Sequence, residues 1–172
     1  EAPAVVLWDV PADPRPFLAQ VRLVAACGGM PEVCLAFDAE DVERFHRRVR
    51  EDYPAREQLE RVYVALRGLA ARGPATRAAL AQALERAHPG LLSAAGLRRA
   101  LAILAELGLV HVDGERLRLG ETGRKVDLAW SVRYNECNLI RTGPLAGAGD
   151  LLRLQPGELL ERMTAGAALL IQ

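Results

Sequence analysis

The sequence predicts an α+β fold in which a short β-α-β unit precedes three helices and a β-hairpin. Three observations favour it: apolar runs without alternation near the N-terminus, consecutive stretches with apolar residues at helical spacing, and a turn signal between two short strands. With 172 residues, 51% of them hydrophobic, the chain can bury one sizeable core and at most a small second one. We expect three segments, at residues 1–53, 54–125 and 126–172.

The lead-in consists of two apolar strands, Val5–Trp8 and Val33–Phe37. Runs without alternation are typical of parallel strands that are covered on both faces. The helix between them begins at Asp13-Pro14, where a capping residue precedes proline, and ends at Gly28-Gly29. Asp9 and Asp38 follow the two strands, and we expect each to cap the next helix rather than bind a ligand.

A basic helix follows, from Asp41 to about Tyr53, with Val42, Phe45 and Val49 at helical spacing. Arginines occupy its remaining surface. The net charge of the chain is zero, but residues 41 to 125 hold 16 basic and 11 acidic side chains. The excess of five positive charges is compatible with nucleic acid, with an acidic peptide, or with a solvated surface alone.

The central segment reads as three helices and a hairpin. The second and third helices are capped by Thr76 and Ser93, and Asp113-Gly114 predicts a two-residue turn of the primed type. Helix, helix-turn-helix and β-wing in this order predict a winged helix-turn-helix. Its inward residues are predicted to be Leu59, Val62, Tyr63, Leu66, Leu69, Leu80, Leu84, Leu97, Ala100, Leu101 and Leu104.

After Glu121 the signals weaken. Residues 127–135 could form a short helix or an irregular segment, and 143–149 is a loop of small residues. The periodicity of 156–170 predicts a closing helix with Leu159, Leu160 and Met163 inward.

No residues are spaced for catalysis or for metal binding, so we expect no catalytic residue and no cofactor in this chain. His46, His88 and His111 fall on separate elements, and no cysteine pairs with them at zinc spacing. Cys27, Cys34 and Cys137 are expected to be reduced thiols, mainly buried. No apolar stretch could cross a bilayer and the start has no leader pattern, which favours a cytoplasmic, soluble protein without a membrane partner.

Binding is therefore the expected activity. The third helix presents Ala95, Arg98, Arg99, Ala102 and Glu106 outward, without the Asn or Gln that would read adenine. Sequence-specific readout is not favoured. Arg116 and Arg118 share one face of the wing and could contact DNA phosphates, and a scaffold for protein contacts remains equally open.

Short motifs in one order along the chain resemble the C-terminal domain of the RecJ family of single-strand-specific DNA exonucleases. These exonucleases belong to the superfamily of Asp-His-His phosphoesterases. The opening Leu7-Trp8-Asp9-Val10-Pro11 is similar to a family strand that ends in Asp-x-Pro. The other motifs are Tyr53-Pro54-Ala55-Arg56-Glu57 with Val62-Tyr63, Glu106-Leu107-Gly108-Leu109, Lys125-Val126-Asp127-Leu128, and Ser131-Val132-Arg133-Tyr134.

The resemblance implies an accessory role without catalysis. The Asp-His-His motif of the family's nuclease core, where Mn²⁺ or Mg²⁺ would bind, is absent from this sequence. What the resemblance implies is docking of the acidic tail of single-strand-binding protein and of a repair helicase, in a parent enzyme that degrades single-stranded DNA. Arginine is suited to bind such an acidic tail, because its planar guanidinium group can donate two parallel hydrogen bonds to one carboxylate. The candidate partner-binding residues are Arg44, Arg47, Arg48, Arg56, Arg98 and Arg99.

A second interpretation is a free-standing winged-helix transcription regulator. The reading helix, poor in arginine, speaks against it. The start without methionine also speaks against it, because we expect this start to mark a piece of a longer chain.

Overall fold

The structure is a computed structural model that describes residues 4–7, 23, 32–120 and 126–142. Helices and strands are mixed, as the predicted α+β class requires. The chain forms two compact units, residues 1–46 with 142–172, and residues 47–141. The division at residues 53 and 125 stays a prediction.

The first unit contains two short parallel strands, β1 (Ala4–Leu7) and β2 (Glu32–Leu35), as predicted. Val6 pairs with Cys34, and both residues are exposed. Cross-strand neighbours point to the same side of a sheet, so this side is open. The expectation of two covered faces is therefore wrong here, and Cys34 is not a buried thiol. Of the predicted helix at 13–28 the structure describes Leu23 alone, which is helical and exposed. Asp9 and Cys27 lie outside the described residues.

Helix α1 spans Ala39–Asp52 and so begins two residues before the predicted start at Asp41. Asp38 caps it, as predicted. The carboxylate of Asp38 accepts hydrogen bonds from the backbone N–H groups of Glu40 (2.8 Å) and Asp41 (3.0 Å). The bond from Asp41 is the main cause that lowers the pKa of Asp38, with burial acting in the opposite direction. The helix ends before Pro54, which cannot continue it.

Three helices form most of the second unit: α2 (Arg56–Ala70), α3 (Arg77–Ala87) and α4 (Ala94–Glu106). Both predicted caps are confirmed. The hydroxyl of Thr76 accepts from the backbone N–H of Ala79 at 3.1 Å, and that of Ser93 from Gly96 at 3.0 Å.

The small antiparallel sheet has the order β3-β5-β4, with β3 at Ala75–Thr76, β4 at Val110–Asp113 and β5 at Arg116–Leu119. The hairpin is confirmed, but its loop is one residue further along than predicted. Asp113 pairs with Arg116, so the loop is Gly114-Glu115. Within this loop Gly114 has a positive φ, of 54°, and Glu115 does not, which is the pattern of a type II′ turn. The sequence did not predict β3.

The core of this unit lies between the three helices and the inner face of the sheet. Ile103, which was not among the predicted core positions, is fully buried, whereas Leu97 is only half-buried. The other large buried residues are Leu59, Val62, Leu66, Leu80, Leu84, Leu101, Leu104, Val110 and Leu117.

Residues just before α2 hold the N-terminus of α4. The Ser93 backbone N–H donates to the carbonyl of Glu51 at 3.1 Å, and its hydroxyl donates to Asp52. The side-chain amide of Gln58 donates to the carbonyls of Arg50 (3.0 Å) and Leu91 (2.7 Å). The end of α1 is therefore part of the packing of α4.

For residues 127–135 the sequence left a short helix and an irregular segment open, and the structure shows helix. A 3₁₀ turn at Leu128–Trp130 leads into α5, which spans Val132–Thr142. The predicted loop at 143–149 and closing helix at 156–170 lie outside the described residues.

Candidate functional site

The start of α5 is held against the end of α4 by one carboxylate. The Ser131 hydroxyl donates to Glu106 at 2.7 Å, and the backbone N–H of Val132 donates to the other oxygen at 3.1 Å. Arg133 approaches the same carboxylate at 3.6 Å. The Ser131 bond is the main cause that lowers the pKa of Glu106, against desolvation, which raises it. Glu106 therefore caps a helix other than its own.

The inward face of α5 completes this attachment. Ser131 is fully buried and accepts from the backbone N–H of Tyr134 at 3.1 Å, which caps α5. Cys137 is 5% exposed, and Tyr134 packs against the core. Burial raises the pKa of the Cys137 thiol. Cys137 is thus a free thiol on the buried face of α5.

Between α4, α5 and the end of α1 lies a cavity of about 500 Å³, which we call the arginine pocket. Three arginines and one glutamate line it together with small and apolar side chains. The lining residues are Tyr53, Ala95, Arg98, Arg99, Ala102, Arg133, Glu136, Cys137 and Ile140. Four of the five residues predicted to face outward from the third helix therefore line this pocket, namely Ala95, Arg98, Arg99 and Ala102.

Arg99 has a fixed position in this pocket. Its guanidinium carbon lies 4.4 Å from the centre of the Tyr53 ring, and its Nη1 donates to the carbonyl of Asp52 at 2.9 Å. Arg98 is exposed, whereas Arg99 is half-buried. With Glu136 as the one acid among the lining residues, three guanidinium groups leave the pocket with an excess of positive charge.

A second cavity, of about 370 Å³, lies between α3 and the start of α4. Its walls are mainly alanine and leucine, with Glu85 and His88 as ionisable groups, and no arginine lines it. Its chemistry therefore does not favour an anionic ligand.

The other predicted partner-binding arginines lie outside the arginine pocket. Arg44 pairs with Asp41 on α1, and Arg47 and Arg48 are exposed on the same helix. Arg56 pairs with Glu60 at 3.0 Å, an interaction that raises the pKa of the guanidinium. Among the predicted arginines, the structure brings only Arg98 and Arg99 together in this pocket.

The wing carries Arg116 and Arg118 on its exposed face. Asp113 is the cross-strand neighbour of Arg116, and His111 that of Arg118. Because neighbours in a pair point to the same side, one carboxylate offsets part of the positive charge on this face.

Sequence reasoning missed the contribution of α5 to the pocket, namely Arg133, Glu136 and Ile140, and also that of Tyr53. One signal was available. Ser131, Tyr134 and Cys137 recur at intervals of three, the spacing of a helix face that packs inward.

No described group of three or more His, Cys, Asp or Glu side chains is placed to hold a metal ion. None of the helices in the described part of the chain is long and apolar enough to cross a bilayer.

Comparisons with known proteins add no relative. No family model, no curated protein and no solved structure matches this chain.

Proposed function

We propose that this chain is the non-catalytic C-terminal accessory region of a single-strand-specific 5′-to-3′ DNA exonuclease of the RecJ type, and that it recruits protein partners during DNA repair and recombination. In this proposal α2, α3 and α4 with the β4-β5 hairpin are a winged helix-turn-helix. DNA cleavage, with its Mn²⁺ or Mg²⁺, belongs to the rest of the parent enzyme. The observation that carries the proposal is the arginine pocket beside α4.

The pocket suits the acidic tail of a single-strand-binding protein. Guanidinium groups hold carboxylates through charge-assisted hydrogen bonds, and Arg98, Arg99 and Arg133 supply three of them at one cavity. Ala95, Ala102 and Ile140 add apolar wall for a hydrophobic side chain. A tail with acidic and aromatic residues needs both features.

The same geometry weighs against reading of duplex DNA by α4. A recognition helix must enter the major groove with its outward face free. Here α5 faces that side of α4 across the pocket, and its start is attached to the end of α4 through Glu106, Ser131 and Val132. This arrangement favours partner recruitment over the rival function, a winged-helix transcription regulator.

The test is a titration of the chain with a labelled peptide carrying the acidic tail of a single-strand-binding protein, at two salt concentrations. We expect binding in the range of tens of micromolar or tighter, weaker at high salt because exposed charges are screened. Reversal of two pocket charges, Arg98→Glu with Arg133→Glu, should abolish it. The matched control is Arg67→Glu, which reverses an exposed arginine of α2 outside the pocket.

Three further outcomes would contradict parts of this proposal. If binding is lost only on reversal of Arg44, Arg47 and Arg48, the partner surface is the basic helix and the pocket assignment is wrong. Preferential binding of one duplex sequence at moderate salt would support the transcription regulator instead. Degradation of DNA by this chain alone, with Mn²⁺ added, would contradict the non-catalytic role.

A further inference from the structure

The three arginines of the pocket differ in how they are held. Arg98 is exposed on α4, and Arg133 has a side chain 59% exposed with its ion pair to Glu106 at 3.6 Å. Arg99 is half-buried and has two close contacts within the protein. The three residues are therefore not equivalent as ligands for an anion.

The two contacts of Arg99 are of different kinds, one a stacking contact and the other a hydrogen bond. The Tyr53 ring covers one face of the guanidinium at 4.4 Å, and the carbonyl of Asp52 accepts from Nη1 at 2.9 Å. That bond uses one of the five N–H donors of an arginine. Because Arg99 also lines the cavity, further donors remain for a ligand carboxylate.

We infer that Arg99 is the fixed carboxylate-binding residue of the pocket and that Tyr53 is a positioning residue that orients it. This inference rests on the proposed function, because it takes an acidic peptide as the ligand. Arg98 then serves as a mobile charge that attracts the peptide over a longer range.

The physical basis is the conformational entropy of arginine. A free arginine side chain must be immobilised when it binds, which lowers affinity, whereas a guanidinium already held by stacking and by a backbone carbonyl loses less freedom. Stacking on an aromatic ring depends on the ring and on the planar cation, and not on the tyrosine hydroxyl. A lysine at position 99 would keep the charge but lose the fork and the stacking.

The experiment measures association and dissociation rates of the labelled acidic tail peptide with the full chain. A peptide whose acidic residues are replaced by their amides is the ligand control. Tyr53→Leu and Arg99→Lys should each weaken affinity about tenfold, or ~1.4 kcal/mol, mainly through faster dissociation. Tyr53→Phe should stay within about twofold of the unsubstituted chain, since it keeps the stacked ring. Arg67→Lys, at an exposed arginine outside the pocket, is the matched control for the change from arginine to lysine.

The outcomes distinguish this inference from the proposed function. Failure of the unsubstituted chain to bind the acidic peptide overturns both. If it binds, and Arg99→Lys dissociates at the unsubstituted rate, the role of Arg99 is overturned alone. A wild-type dissociation rate in a folded Tyr53→Leu variant overturns the positioning role, with the fold checked by thermal unfolding. Equal losses in Tyr53→Phe and Tyr53→Leu would also overturn it, because the hydroxyl and not the stacked ring would then be responsible.

Discussion

Gly96 lies in the first turn of α4, where the helix approaches the end of α1 most closely. A Cβ added at this position would overlap the carbonyl oxygen of Glu51, a backbone atom that cannot move away alone. We expect Gly96→Ala to lower the free energy of unfolding by about 2 to 3 kcal/mol, because overpacking forces the backbone to shift. Urea unfolding followed by circular dichroism measures this.

The control is Gly68→Ala on α2. Gly68 is exposed and an added Cβ would meet no atom within 4 Å. Alanine is favoured over glycine within a helix by about 0.5 to 1 kcal/mol, so this variant should be more stable than the unsubstituted chain. Equal effects at the two glycines would mean that the close approach at Glu51 is not present.

At the scale of elements, the attachment of α5 depends on the buried hydroxyl of Ser131. Ser131→Ala removes the cap of α5 and the bond to Glu106, at a cost of about 1 to 2 kcal/mol. The helix should then detach more often and expose Cys137, which is 5% exposed. We expect faster labelling of Cys137 by a thiol reagent, measured with Cys27 and Cys34 replaced by serine. Leu139→Ala, at an exposed position of the same helix, is the comparison, and equal labelling rates in the two variants would contradict the capping role.

The carboxylate at this attachment also predicts a dependence on pH. The pKa of Glu106 is lower in the folded chain than its ordinary value of 4.5. Its stabilising effect is therefore complete above that value and is lost as the pH falls through the lower folded pKa. The difference in unfolding free energy between the unsubstituted chain and Glu106→Gln should be constant near neutral pH and shrink below about pH 4.5. A difference that does not change down to pH 3 would show that the ionised form has no special role.

Much of this architecture could be predicted from local sequence signals. Caps such as Thr76 and Ser93 act within three residues, and the apolar stripes of the helices mark their buried faces. The two-residue strand β3 could not be predicted, because its pairing partner Leu117 is 42 residues further along the chain. Cys34 was also missed, since an apolar strand gives no sign of which face lies open.

The arginine pocket could likewise be predicted only in part, because it joins residues that are far apart in the sequence. Arg98 and Arg99 were predicted from their outward spacing on one helix. Arg133 comes from a separate segment, and its approach to α4 depends on the tertiary bonds of Glu106. Periodicity within an element does not report contacts of this kind.

For the whole molecule, the compact unit at residues 47–141 predicts where a stable fragment must begin. A fragment of residues 47–142 retains Glu51, Asp52 and Tyr53 beside α4, whereas one that begins at Pro54 loses them. The shorter fragment lacks the carbonyl of Glu51 and the stacking partner of Arg99. We expect it to be less stable by about 2 kcal/mol or more, given several lost hydrogen bonds and contacts. Denaturant unfolding of both fragments checks this, and equal midpoints would place the boundary at 54.

Trp130 ends the 3₁₀ turn, directly before the buried Ser131, with its side chain largely in solvent at 67% exposure. The turn itself is ordered, because Asp127 accepts from the backbone N–H of Ala129 and Asn135 donates to the carbonyl of Ala129. The chain has two tryptophans, so Trp8→Phe leaves a single indole emitter at the junction of α5. Because the indole of Trp130 is exposed, its emission should lie at long wavelength and be quenched by iodide. A change in either property would report movement of α5 or binding of a ligand without any attached dye.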